Sequence, residues 1–153
     1  MKKLETKIPP VVVFITAALL MKLISIYVPA IDIPEYARLL MTIIFLLWGG
    51  VMGLFGVISF LRVKTTVDPI KPEKASTLVD TGVYKISRNP MYLGLGLLLI
   101  AFAFYLKSIA SLLVVVLFMI YMTRFQIIPE EKAMIKLFGD EYIDYMKRVR
   151  RWI

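Results

Sequence analysis

Four apolar runs alternate with polar breaks along the 153-residue chain, and the breaks carry residues that stop helices. The first run, Ile8 to Val28, and the second, Leu39 to Leu61, are each long enough to cross a hydrocarbon core of about 30 Å, which takes about 20 helical residues. Pro29, Asp32 and Pro34 separate them. A shorter third run, Met91 to Leu106, turns at Lys107-Ser108 into a fourth, Ile109 to about Ile128, and the pair predicts a tight helical hairpin. Beyond Pro129, the residues Met134, Leu137, Phe138, Tyr142, Tyr145 and Val149 recur at helical spacing among charges, as on an amphipathic surface helix. Gly139 followed by Asp140 predicts a stop and a new N-cap, hence two short helices over about 130–149 rather than one. The expected fold is all-α: a polytopic membrane protein with about four transmembrane helices, a polar loop and C-terminal amphipathic helices, forming one domain over residues 1–153.

The flanks of these runs set an orientation. Lys2, Lys3 and Lys7 precede the first run, and Arg62, Lys64, Lys71, Lys74, Lys85 and Arg88 fill the loop after the second, whereas the opposite loop carries only Arg38. By the positive-inside rule both termini and the long loop are expected in the cytoplasm, and a bacterial or archaeal inner membrane is the expected setting. A basic start followed by an apolar run also describes a signal peptide. The first run is longer than a usual signal core, contains Lys22, and lacks a convincing small-residue cleavage site before Pro29, so an uncleaved helix is expected. In the second run, Gly49-x-x-x-Gly53 allows close helix approach, either within the chain or across a homo-oligomer.

Composition removes whole classes of chemistry. The chain has no Cys and no His, so disulfides, thiol nucleophiles, imidazole acid–base steps and the usual zinc or haem ligands are absent, and no metal site is expected. A mean hydropathy of +0.79 makes lipid the main solvent. The net charge of +8 sits beside apolar runs instead of on a soluble face, which suits anionic lipid and not nucleic acid. Only Lys22 and Arg124 carry charge inside the runs, and no carboxylate does, which argues against a proton-coupled transporter.

The hairpin brings Gly82 to Gly96 and Arg124 to Glu131 to one membrane face, and polar residues concentrate there. The motifs in order are Gly82-Val83-Tyr84, Ser87-Arg88-Asn89-Pro90-Met91-Tyr92-Leu93-Gly94, Pro129-Glu130-Glu131, and Phe138-Gly139-Asp140-Glu141-Tyr142-Ile143-Asp144-Tyr145. This stretch, about Thr65 to Ile153, resembles the superfamily of integral membrane methyltransferases that contains the isoprenylcysteine carboxyl methyltransferases and the phospholipid N-methyltransferases. The resemblance implies S-adenosylmethionine bound by the last two membrane helices and the C-terminal helices. The phospholipid branch's Gly-x-Gly and paired glutamates are matched by Gly94-Leu95-Gly96 and Glu130-Glu131. The isoprenylcysteine branch more often has His where this chain has Asn89.

The implied cofactor-binding residues are Gly82, Tyr84, Asn89, Tyr92, Gly94, Gly96, Arg124, Glu130 and Glu131. The implied catalytic residues are Arg88, Glu141 and Arg151, and the implied substrate-side residues are Tyr142 and Tyr145. Taken alone, each feature has a plainer use. A Gly-x-Gly in a membrane helix packs helices, glutamates after a proline suit a helix's first turn, and interfacial tyrosines anchor. Methyl transfer from a sulfonium needs alignment and a favourable field, not His, Cys or metal, so this composition permits it. Arg88 or Arg124 would hold the donor's carboxylate, with Tyr84 and Tyr92 facing its positive charge. The acceptor implied is lipid-like or prenylated. A non-enzymatic scaffold and a small four-helix transporter are the alternatives from other classes.

Overall fold

The structure, a computed structural model, describes residues 6–62 and 77–153. Lys2, Lys3, Lys64, Lys71, Lys74 and the start of the resembling stretch at Thr65 lie outside the described residues. The fold is all-α. In chain order the helices are α1 (Pro10–Tyr27), α2 (Glu35–Arg62), α3 (Pro90–Tyr105), α4 (Ser111–Met122), a π segment (Thr123–Ile127), α5 (Ile128–Phe138) and α6 (Asp140–Arg148), with a 3₁₀ turn (Gly82–Lys85) ahead of α3. Prolines open α1 and α3, where a missing N–H is no loss.

Helices α1 and α2 and the continuous helix Ser111–Phe138 are long and apolar enough to cross a membrane, and α3 is a shorter apolar helix. Large apolar side chains such as Leu19, Ile26, Leu47, Leu54 and Leu117 stand exposed along α1, α2 and α4. Such a surface needs lipid around it. The protein is therefore a multi-pass integral membrane protein.

At the centre lies α3, with Tyr92, Leu93, Leu97, Leu99, Ala101 and Ala103 buried around its circumference, as expected of a helix apolar on every side. Helix α2 lies along one flank of α3. Their backbones nearly touch: a Cβ on Gly94 would sit 2.8 Å from the Gly49 carbonyl oxygen and 2.8 Å from the Gly53 nitrogen. The Gly49-x-x-x-Gly53 pair is thus used within the chain. On the other flank α1 runs antiparallel to α4, tied by Ser111 Oγ donating to Met21 O (3.4 Å) and Gln126 Nε2 donating to Ile8 O (2.6 Å). The opposite end is closed by Arg38 Nη1 donating to Tyr105 O and Ile31 N donating to Lys107 O.

Two expectations change. The fourth apolar run does not end near Ile128, because α4, the π segment and α5 form one helix that passes through Pro129 to Phe138. A proline inside a helix leaves the carbonyl four residues earlier without its donor. Here that carbonyl, Phe125 O, is taken by Thr6 N at 2.9 Å, and the wider π turn accommodates the ring. The stop at Gly139 is where expected, but Gly139 itself caps α6, at φ +52, where a side chain would be strained. Asp140 falls in the first turn, and its charge there complements the helix dipole.

Candidate active site

Where α3 begins and the α4–α5 helix leaves the bundle, the turn 84–92, α5, α6 and the residues after α6 converge. Glu131 is buried there between two arginines. Arg151 reaches it with both prongs, Nε to Oε1 at 3.0 Å and Nη2 to Oε2 at 2.7 Å. Arg88 Nη1 lies 3.2 Å from Oε1, and the Arg88 and Glu131 side chains are each only 8% exposed. Beside them Tyr92 donates its hydroxyl to Glu130 Oε1 at 2.5 Å. The hairpin thus brings Arg88, Tyr92, Glu130, Glu131 and Arg151 into one cluster from three separate stretches of sequence.

A tyrosine layer covers this cluster. Tyr145 donates to the Tyr84 carbonyl oxygen at 2.7 Å, and the Tyr142 and Tyr145 rings lie 5.9 Å apart. Val79, Tyr84, Tyr142, Tyr145 and Val149 form a small core with Met134 and Phe138, so most of the predicted amphipathic face is used, while Leu137 stays exposed. Burial, together with the charge of Glu131, pushes the Tyr142 hydroxyl up to about 12, against the pull of the Arg88 guanidinium. Burial likewise raises Tyr84 and Tyr145 above the tyrosine range, each further raised by a neighbouring tyrosine.

Several polar atoms in this cluster form no hydrogen bond, although Arg88 Nη1 keeps its ion-pair contact with Glu131. Arg88 Nε and Nη1 and the Tyr84 hydroxyl are buried and make no hydrogen bond. Buried donors almost always find acceptors, so Arg88 and the Tyr84 hydroxyl keep hydrogen-bonding capacity that the described residues leave unused.

Asn89 Nδ2 donates to Arg151 O at 2.9 Å, fixing the chain after α6. Gly82, at φ +60, is exposed and starts the 3₁₀ turn. Gly94 is filled against α2, whereas a Cβ at Gly96 would meet nothing within 4 Å. Gly96 lies four residues beyond Tyr92, on the same helix face. Arg124 sits in the π segment with its guanidinium over the Phe125 ring at 5.7 Å. Glu141 is exposed in the first turn of α6 and makes none of the cluster's bonds. Sequence reasoning missed Ser87, fully buried and donating to Arg151 O, and Trp152, whose Nε1 donates to Thr123 Oγ1 at 3.1 Å. Only the placement of a Trp just past a basic run hinted at the second.

The model of the phospholipid methyltransferase family matches residues 37–141, more than half of the chain, and takes in α2, α3 and the paired glutamates. The chain belongs to the phospholipid methyltransferase family. A 63-residue stretch is 41% identical to an uncharacterized protein of Haemophilus influenzae, covering 41% of this chain and all of that protein. A 79-residue stretch is 37% identical to the protein-S-isoprenylcysteine O-methyltransferase of Saccharomyces cerevisiae, covering 52% of this chain and 33% of that protein. The chain thus matches only a third of the yeast protein's length. No solved structure matches it. Among the described residues no group of three or more acidic side chains is placed to hold a metal ion.

Proposed function

We propose that this member of the phospholipid methyltransferase family transfers a methyl group from S-adenosylmethionine to a lipid-like or prenylated amphiphile at the cytoplasmic membrane face. The observation that carries the reading is the buried Arg88–Glu131–Arg151 cluster with open donors on Arg88 and Tyr84, in a chain of a methyltransferase family. When bound, the cofactor would supply an electrophilic methyl on a sulfonium, whose S–C bond breaks to leave a neutral thioether as the acceptor's oxygen or nitrogen takes the methyl.

The residues fit that donor. Arg88 Nε and Nη1 offer two charged donors for its carboxylate. Glu130, held through one oxygen by Tyr92, keeps the other for an ammonium or a ribose hydroxyl. Tyr84 and Tyr92, both buried, are the aromatic rings on offer to its positive charge. The gap at Gly96, on the face of Tyr92, lets a ligand approach the α3 backbone. Tyr142 and Tyr145 close the cluster from α6 and stay protonated at neutral pH, so they exclude water and donate hydrogen bonds without accepting a substrate proton.

Calorimetry on the protein in lipid nanodiscs tests the reading. Wild type binds S-adenosylmethionine, and Tyr92→Phe, which removes only the hydroxyl that holds Glu130, weakens binding by about threefold to tenfold, as expected for the loss of one hydrogen bond. Methyl-labelled cofactor then marks an amphiphile, and lengthening its tail raises turnover, since partitioning gains about 0.8 kcal/mol per buried methylene. Absence of cofactor binding by wild type leaves a scaffold or a transporter as the better reading.

A further inference from the structure

After α6 the backbone turns extended at Val149 and runs alongside the turn before α3. Residues Val149 to Trp152 of this strap are fastened. Arg88 N donates to Arg150 O at 3.0 Å, and Asn89 Nδ2 and Ser87 Oγ both donate to Arg151 O, at 2.9 and 3.3 Å. Trp152 donates to Thr123 Oγ1 and packs against two apolar clusters, one around Met122 and Ile127 and one around Met52, Leu93 and Leu97. The strap therefore joins the turn before α3 to the π segment, and the Arg151 backbone is pinned on both sides.

This pinning matters because two arginines compete for one carboxylate. Arg151 binds Glu131 with a matched fork, using both oxygens. Arg88 is closer to the interior, yet its 3.2 Å contact lacks hydrogen-bond geometry, and Nη1 is left without an acceptor. A buried guanidinium beside an unforked carboxylate would close on it, because bidentate pairing is the stronger arrangement. The fork of Arg151 already fills that role.

We infer that Arg151, held by the 149–153 strap, is a positioning residue that takes both oxygens of Glu131 and so keeps Arg88 Nε and Nη1 free for the carboxylate of the methyl donor. The inference rests on the cofactor reading above and adds to it a division of labour: Arg151 balances Glu131, and Arg88 meets the ligand. Without the strap, Arg88 turns onto Glu131 and the ligand carboxylate competes with an internal one.

The test measures a ratio of affinities on the intact chain in nanodiscs, S-adenosylmethionine against its decarboxylated analogue. Wild type prefers the carboxylate-bearing compound by about tenfold or more. In Arg151→Ala this preference collapses towards equality, and Arg151→Lys, which keeps charge but loses the fork, restores little of it. Trp152→Phe and Thr123→Val each remove one end of the strap's side-chain anchor and reduce the same ratio by a smaller, matching factor, which keeps the test decisive if Arg151→Ala does not fold. An unchanged ratio in Arg151→Ala, or in both anchor variants, overturns the inference and leaves the strap as a purely structural tie. Failure of wild type to bind either compound instead overturns the cofactor reading, so the two failures are distinct.

Discussion

The tyrosines around Glu131 are the residues whose chemistry the fold alters most plainly. Tyr142 is pushed up to about 12 by burial, above the usual value of about 10 for an unfolded chain. Its contribution to stability is therefore complete below about pH 10 and is lost as pH rises towards 12, because the unfolded state gives up its proton first. Denaturation of wild type at pH 9 and pH 11 should show this loss, and Tyr142→Phe should flatten it by about 1 kcal/mol. At this scale the sequence was informative about identity more than role. Arg88, Tyr92, Glu130 and Glu131 come from the two stretches expected to meet, and Arg151 joins them with no motif pointing to that contact, while Asn89 ties down backbone, Gly94 packs a helix and Glu141 faces outward. Spacing along a helix tells which residues share a face. It does not tell which partner, ligand or neighbouring backbone, occupies that face.

Between elements, the contact of α2 with α3 depends on glycines that touch backbone to backbone. Gly94→Ala would place a methyl 2.8 Å from two backbone atoms of α2, and the forced separation should cost about 1–3 kcal/mol in unfolding from detergent. Gly96→Ala meets open space, so its unfolding should be unchanged or slightly strengthened, by about 0.4–1 kcal/mol from the lost freedom of glycine. If Gly96 borders the donor, that same variant weakens cofactor binding, which separates the two halves of the Gly-x-Gly. Helix boundaries were largely legible: α1, α2 and α3 begin and end within a few residues of their apolar runs, and Gly139 marks the stop after α5. The continuity through Pro129 was not. It depends on Thr6 N reaching Phe125 O, a bond between positions far apart in sequence that no local pattern encodes.

For the molecule as a whole, the number of apolar helices and the meeting of two distant stretches at one end could be read from the hydropathy pattern and the hairpin. The strap could not, because an extended segment held by side chains from three elements has no periodicity to detect. Orientation follows from charge. The expected arrangement has both termini cytoplasmic, and single cysteines placed at exposed Thr77 and Asp32 should react with a membrane-impermeant reagent from opposite sides. Reaction of both from the same side would overturn this arrangement, and reaction of Thr77 from the outer side would reverse the assignment of the site to the cytoplasmic face. The short central helix adds a last consequence. With 16 residues, α3 is about 24 Å long, whereas α2, with 28, is about 42 Å. A hydrocarbon layer of about 30 Å cannot match both, so it must thin beside α3 or draw the cluster below the headgroups, at some cost for each ångström of disagreement. Membrane thickness then becomes a control on activity. In vesicles of phosphatidylcholines differing only in acyl length, turnover of one acceptor should be highest in the thinner bilayers and fall as the chains lengthen.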